Sequence, residues 1–212
     1  RMSDAQRVAQ FCDDPGVGRN LAQTPLPYLP VAAEGWILIN AARASRGTDF
    51  VYAVELPGEG LIGAIGAHAR GQDGFEMGYW FGRPYWGQGF ATEAGTAFVL
   101  EAKKLGQLNA GHFVDNPASG RVLSKVGFAY TGETLPIFSL GRGESVGCKR
   151  MRLLLNKSGV RSRVKRDASK PAPAASARRA RKPVVVEEPE EEDAEAVKPA
   201  PAPEPAKDDN KE

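Results

Sequence analysis

The run GRPYWGQGFATEA at residues 82–94 sets three glycines and three large rings in front of a segment that reads as helix. Gly87 and Gly89 remove side chains where the chain turns into that helix. A helix N-terminus presents unpaired N–H groups and a partial positive charge, so an unobstructed one is suited to receive an anion. Ala91, Ala94, Phe98, Ala102 and Leu105 recur at helical spacing, which predicts a helix over residues 90–105 packed against a sheet. Two familiar phosphate motifs fit poorly. A P-loop needs GxxxxGK followed by Ser or Thr, and no Lys stands here. A Rossmann turn needs a parallel strand before the glycines and an acid about twenty residues on, where Gln107 lies instead. Taken alone, the glycines are equally consistent with a tight turn.

Working outward, residues 75–81 (FEMGYWF) read as a strand entering this stretch, preceded by strands over 50–56 and 61–70 separated by the turns PGEG and GQDG. Upstream, residues 4–13 and 31–45 read as helices joined by the Pro- and Gly-rich segment PGVGRNLAQTPLPYLP. Downstream, residues 108–114 read as a strand and 116–126 as a short helix. That helix has Asn116 as its N-cap, Pro117 at its first position and Gly127 at its left-handed exit. Strands over 128–131 and 148–155 close the pattern. The order implies an α/β fold with a mixed, mostly antiparallel central sheet flanked by helices.

The chain has 212 residues, 42% hydrophobic and 25% charged, enough for one ordinary core with residues to spare. The surplus is residues 157–212, built almost wholly from Lys, Arg, Glu, Asp, Ala and Pro. Such a composition cannot bury enough apolar surface to offset the entropy of ordering, so a disordered tail is expected. Its charges are polarised. Residues 157–182 carry ten basic residues against Asp167 alone, and 187–212 carry eleven acidic residues against three lysines. The plainest reading is a solvated extension that compensates its own charge. The basic block could also touch RNA or the ribosome, through phosphate contacts alone and therefore in a salt-sensitive way. With no apolar run near the length of a membrane span, no secretory leader pattern and only Cys12 and Cys148, a cytoplasmic location is expected. The chain opens at Arg1, and residues 1–4 read as the end of a strand leading into the first helix.

FEMGYWFGRPYWGQGFATEA followed by DNPASGRVLSKVGF resembles the two signature segments of the GNAT superfamily of acetyl-CoA-dependent N-acetyltransferases, and more narrowly the branch of ribosomal-protein N-terminal (alanine or serine) acetyltransferases. FSLGRGESVGCKRMRL resembles that branch's closing strands. The resemblance implies an acetyltransferase domain over residues 1–156 that lacks the family's first strand. It implies acetyl-CoA as cosubstrate, with no metal. The run Trp86, Gly87, Gln88, Gly89, Phe90 and Ala91 matches the loop whose amides hold the CoA pyrophosphate, although Trp86 departs from the superfamily's usual Gln or Arg. Tyr85 and Trp86 stay open between packing and lining the groove.

Acetyl transfer to an amine needs a neutral nucleophile, a donor for the developing oxyanion and a proton for the departing thiolate. By resemblance, Glu76 on the strand before the loop is the base. Gly78 would permit a bulge that opens the sheet and aims a backbone N–H at the thioester oxygen. Asn116 and Ser119 would lie beside the pantetheine, with Ser119 donating to the thiolate. Glu76 could equally be an ion-pair member, Asn116 merely a cap and Ser119 a surface residue. His68 and His112 show no metal-ligand spacing, and His112 is expected near the acceptor channel. Segments 15–30 and 132–146 are expected to line the acceptor side. The acceptor is thus a primary amine, either a protein N-terminus or a small molecule. A weakly catalytic acetyl-CoA-binding adaptor or sensor is the alternative.

Overall fold

The computed structural model describes residues 1–71 and 74–155; the expected charged tail lies outside them. Three helices come first: α1 (Ala5–Cys12), α2 (Pro15–Gly18) and α3 (Pro30–Ser45). They precede an antiparallel meander of β1 (Asp49–Leu56), β2 (Gly60–Ala69) and β3 (Phe75–Phe81). Helix α4 (Phe90–Glu101) crosses over to β4 (Gln107–Phe113), and α5 (Pro117–Val126) leads to the hairpin of β5 (Ala129–Ser139) and β6 (Glu144–Leu154). The six strands form one sheet in the order β1-β2-β3-β4-β6-β5, antiparallel except where β3 meets β4.

Alternation along the strands sends apolar side chains to both faces, so the sheet carries a core on each side. On one face Ile65, Met77, Phe81, Leu108, Ala110 and Met151 pack beneath α4 and α5. On the other, Val8, Phe11 and Ala33 from α1 and α3 pack against Ala64 and Trp80. Burying each such large side chain contributes about 1.5–3 kcal/mol, which anchors the helices on both sides of β3 and fixes the loop that follows it.

Five local expectations need correction. The connection expected from Pro15 opens with the single turn of α2, which Asp14 caps by accepting the Gly16 amide. Residues 1–4 are not strand: Met2–Asp4 is a 3-10 turn, and β1 forms the edge of the sheet among the described residues. The helix expected over 90–105 ends as α-helix at Glu101 and tightens into a 3-10 turn over Ala102–Leu105 before Gly106, whose φ is +75°. The strands expected over 128–131 and 148–155 run further: β5 and β6 extend through most of segment 132–146 as one hairpin. Gly132 and Pro136 disguise it, yet Pro136 is tolerated because β5 is an edge strand with one side free of ladder bonds. Finally, β3 has no bulge at Gly78, which sits opposite Gly66 in unbroken register.

Candidate active site

β3 and β4 pair in parallel only at Phe75 with Leu108 and Glu76 with Asn109, after which they part. That divergence opens a cleft of about 1490 Å³ through the sheet, lined by Gly78 and Tyr79 from β3, Asn116 and Ser119 from α5, and Gly87 and Gly89 from the loop before α4. Strand divergence therefore does the work the sequence assigned to a bulge. Gly78 contributes differently, because a Cβ there would meet nothing within 4 Å and would project into open space.

At the helix entrance Gly87 and Gly89 adopt φ of +75° and +94°, the left-handed region that glycine enters without strain. A Cβ on either would again meet no atom within 4 Å. The ladder of α4 begins with the Thr92 and Glu93 amides, both bonding the Gly89 carbonyl at 3.0 Å, so the amides of Phe90 and Ala91 precede it. The side chains in the run turn away to build the loop. Trp86 Nε1 donates to the Phe81 carbonyl at 2.8 Å and Gln88 Nε2 to the Pro84 carbonyl at 2.8 Å. Tyr85 packs edge-on against Phe11 and Phe90, and its hydroxyl receives Arg7 and donates to Glu59. Tyr85 thus packs and also borders the cleft, as Trp86 does, while Gly87 and Gly89 leave the backbone bare.

Across the cleft, Asn116 caps α5 by accepting the Ser119 amide at 3.2 Å. Ser119 Oγ lies 2.8 Å from the Tyr79 hydroxyl, which is also 3.3 Å from the Ser119 carbonyl. Burial pushes the Tyr79 phenol up to about 12, a direction the Ser119 hydrogen bond opposes, so it is protonated at neutral pH. Tyr79 escaped the sequence reading. The signal was there: in FEMGYWF the odd positions 75–81 share one face, the one that packs beneath α4 and α5, and Tyr79 brings that row its one hydroxyl.

Glu76 points to the opposite face. Arg150 of β6 donates to it bidentately, Nη1 to Oε1 at 2.9 Å and Nη2 to Oε2 at 2.6 Å. The bond to Glu76 holds the Arg150 guanidinium above its ordinary range, with burial opposing. Gly111 makes room for the pair: a Cβ there would lie 2.6 Å from Cys148 Sγ and 2.8 Å from Arg150 Nη1. Burial raises the Cys148 thiol, and the Arg150 charge works against that rise. Glu76 is therefore not a free carboxylate. Nothing in the linear sequence linked residues 76 and 150, which meet only because β4 and β6 are neighbours.

His112 is on the α5 face rather than with Glu76, buried, its Nε2 3.0 Å from the Tyr130 hydroxyl and its Nδ1 2.9 Å from the Phe113 carbonyl. His68 Nδ1 lies 3.0 Å from Asp49 Oδ1. Among the described residues no group of three or more His, Cys, Asp or Glu is arranged to hold a metal. The segment after α2 is clipped to the β5–β6 hairpin. Arg142 grips both oxygens of Asp115 at 2.8 and 3.1 Å and donates to the Arg19 carbonyl at 2.7 Å, while Arg19 bonds Asp115 at 2.9 Å. Leu140 N meets the Ala22 carbonyl at 2.9 Å. Arg142 holds the Asp115 carboxyl below the usual carboxylate range.

This geometry has counterparts. Over 77 residues, 34% of the chain, the sequence is 40% identical to the uncharacterized N-acetyltransferase YoaA of Bacillus subtilis (strain 168), a match spanning 44% of that protein's length. The ribosomal-protein-S5-alanine acetyltransferase of Vibrio fischeri shares the fold with a TM-score of 0.63 at 16% identity, over 74% of this chain and 91% of that one. The spermidine N-acetyltransferase of Vibrio cholerae, in complex with CoA and spermine, does so with a TM-score of 0.62 at 16% identity, over 73% and 92%. Residues 1–129, which include the glycine loop, the split between β3 and β4 and the Asn116 cap, match the acetyltransferase (GNAT) domain, and the chain belongs to that family.

Proposed function

We propose that the protein is an N-acetyltransferase that moves the acetyl group of acetyl-CoA to a primary amine by direct attack on the thioester. The observation that carries this reading is the cleft at the parting of β3 and β4. One end meets the bare, left-handed glycines and leading amides of α4, and its wall carries the Ser119 hydroxyl at the start of α5. The chain fits the cosubstrate. Open space at Gly87 and Gly89 lets a diphosphate reach the amides of residues 87–91 at the positive end of α4. The edge of β3 that β4 has left is free for the pantetheine arm, and Gly78 keeps the sheet face beside it clear of a side chain. Acetyl-CoA brings an activated acyl group whose thiolate departs.

The chain's own residues have three tasks. Backbone N–H groups near Gly78 stabilise the developing oxyanion. Ser119, in the first turn of α5, donates to the sulfur that becomes negative. Glu76 orients the amine: Arg150 occupies one site on each oxygen, and a carboxylate offers about four acceptor sites in all. With both Glu76 oxygens engaged by Arg150, the amine's proton passes to water, and the rate follows the neutral amine. Asn116 positions Ser119 through the cap. The acceptor is a protein N-terminus or a small amine, as the names of the ribosomal-protein and spermidine enzymes illustrate.

That same Glu76–Arg150 pair favours a second reading, an acetyl-CoA-binding adaptor or sensor of low activity. Both cysteines are free thiols and no helix among the described residues could cross a membrane, in keeping with our placing the protein in the cytoplasm. Any ribosome or RNA contact would run through the basic block at 157–182. Calorimetric titration with acetyl-CoA, followed by thiol release against a panel of peptides and small amines, tests the proposal. Binding with amine-dependent thiol release is expected. Binding without release from any amine selects the adaptor, and absence of binding overturns both.

A further inference from the structure

Ser119 needs more than a place at the cleft to serve a leaving thiolate, because a hydroxyl has one proton and can turn it elsewhere. Its nearest polar neighbour is the Tyr79 hydroxyl, 2.8 Å from Oγ. Two arrangements are open to the pair. In one, Ser119 donates to Tyr79, and the phenol proton goes to the Ser119 carbonyl at 3.3 Å, which leaves no donor for the cleft. In the other, Tyr79 donates to Ser119 Oγ across the shorter distance, and the Ser119 proton is free to point at the cleft. The phenol is the stronger acid of the two and forms the stronger donor, which favours the second arrangement. Burial keeps that phenol protonated throughout the neutral range.

We propose that Tyr79 is a positioning residue that donates to Ser119 Oγ and so turns the Ser119 O–H toward the sulfur of the bound thioester. This rests on the reading of the cleft as an acetyl-CoA site. As the C–S bond breaks, its electron pair goes to sulfur, where the Ser119 hydrogen bond stabilises it. The proton lost by the attacking nitrogen reaches water and balances the one the free thiol finally takes up. Two donors in series polarise one another, so Ser119 binds the thiolate more strongly with Tyr79 behind it than alone. Tyr79 acts only through Ser119.

The test is a double-mutant cycle in the full chain with Tyr79→Phe and Ser119→Ala, read in two ways: kcat, and the pH at which the thiol of bound CoA ionises, followed by thiolate absorbance. Tyr79→Phe keeps the ring that packs near Phe81. In the wild-type background it should lower kcat about tenfold and raise the ionisation of bound CoA by about one pH unit, with CoA affinity at neutral pH within a few-fold. In the Ser119→Ala background it should change neither. Equal effects in both backgrounds, or no effect in either, would overturn the proposal. Should Tyr79→Phe fail to fold, fluorotyrosine at position 79 supplies a more acidic phenol of the same shape. The bound thiol should then ionise at lower pH, and an unmoved value overturns the inference. If wild-type protein does not bind CoA, the acetyltransferase reading itself has failed, an outcome distinct from a flat cycle in a protein that binds and turns over.

Discussion

Arg150 closes on both carboxylate oxygens of Glu76, at 2.9 and 2.6 Å, across two strand boundaries of the sheet. Both side chains are about one-fifth exposed, so removing one partner leaves a half-desolvated charge behind. Glu76→Gln should lower stability by about 1–2 kcal/mol in urea unfolding, and the further change Arg150→Met should recover part of that loss. Loss of the amine's proton to water also sets the pH dependence. For wild type and Glu76→Gln alike, kcat/KM should rise with pH through the pKa of the acceptor amine. With two acceptors of different amine pKa the midpoint should move with the amine; a midpoint that stays put in wild type and vanishes in Glu76→Gln would show that Glu76 is the base.

Asp115 joins the segment after α2, which we propose lines the acceptor side, to the hairpin through Arg142 and Arg19, and it adjoins the Asn116 cap. Asp115→Asn should raise the KM for the acceptor several-fold while leaving the acetyl-CoA dissociation constant within about twofold, because the clip lies away from the glycine loop. Since Arg142 lowers the Asp115 carboxyl in the folded protein, its contribution is present above the unfolded value of about 3.9 and fades as pH falls through the folded one. Acid unfolding of wild type and Asp115→Asn should accordingly converge below about pH 4, and curves that stay parallel would contradict the assignment.

Gly89 has φ of +94° with open space where a Cβ would project. Gly89→Ala should destabilise by about 1–2 kcal/mol from the left-handed conformation alone. Gly89→Val should add obstruction of the amides and raise the acetyl-CoA dissociation constant tenfold or more, measured by calorimetry. Equal affinities in wild type and Gly89→Val would remove the diphosphate from this loop.

Burial pushes Tyr28 and Tyr79 each up to about 12, and Cys12 likewise. In the unfolded chain the phenols ionise near 10 and the thiol near 8.5. Between those values and 12 the unfolded state binds fewer protons than the folded one, so stability should decline steadily with rising pH. Burial also raises Tyr52, so spectrophotometric titration should show three phenols appearing late or only with unfolding, and Tyr79→Phe should remove one of them.

Local pattern in the sequence was enough to read α1, α3, α4, α5 and the meander, though not the single turn of α2, because apolar period and turn residues act over a few positions at a time. Asn116 and Gly127 as caps, and Gly87 and Gly89 as the bare helix entrance, were legible for the same reason: each is a property of a single backbone position. The two closing strands were legible but their length was not, since Gly132 and Pro136 carry loop signals that only an edge position neutralises. Tertiary structure alone decided that the cleft comes from β3 and β4 parting after Glu76, that Arg150 closes on that carboxylate, and that Tyr79 meets Ser119 across the cleft. Strand neighbours and register bring residues 76 and 150, or 79 and 119, within hydrogen-bond reach, and no spacing along the chain encodes a distance between strands that are not consecutive.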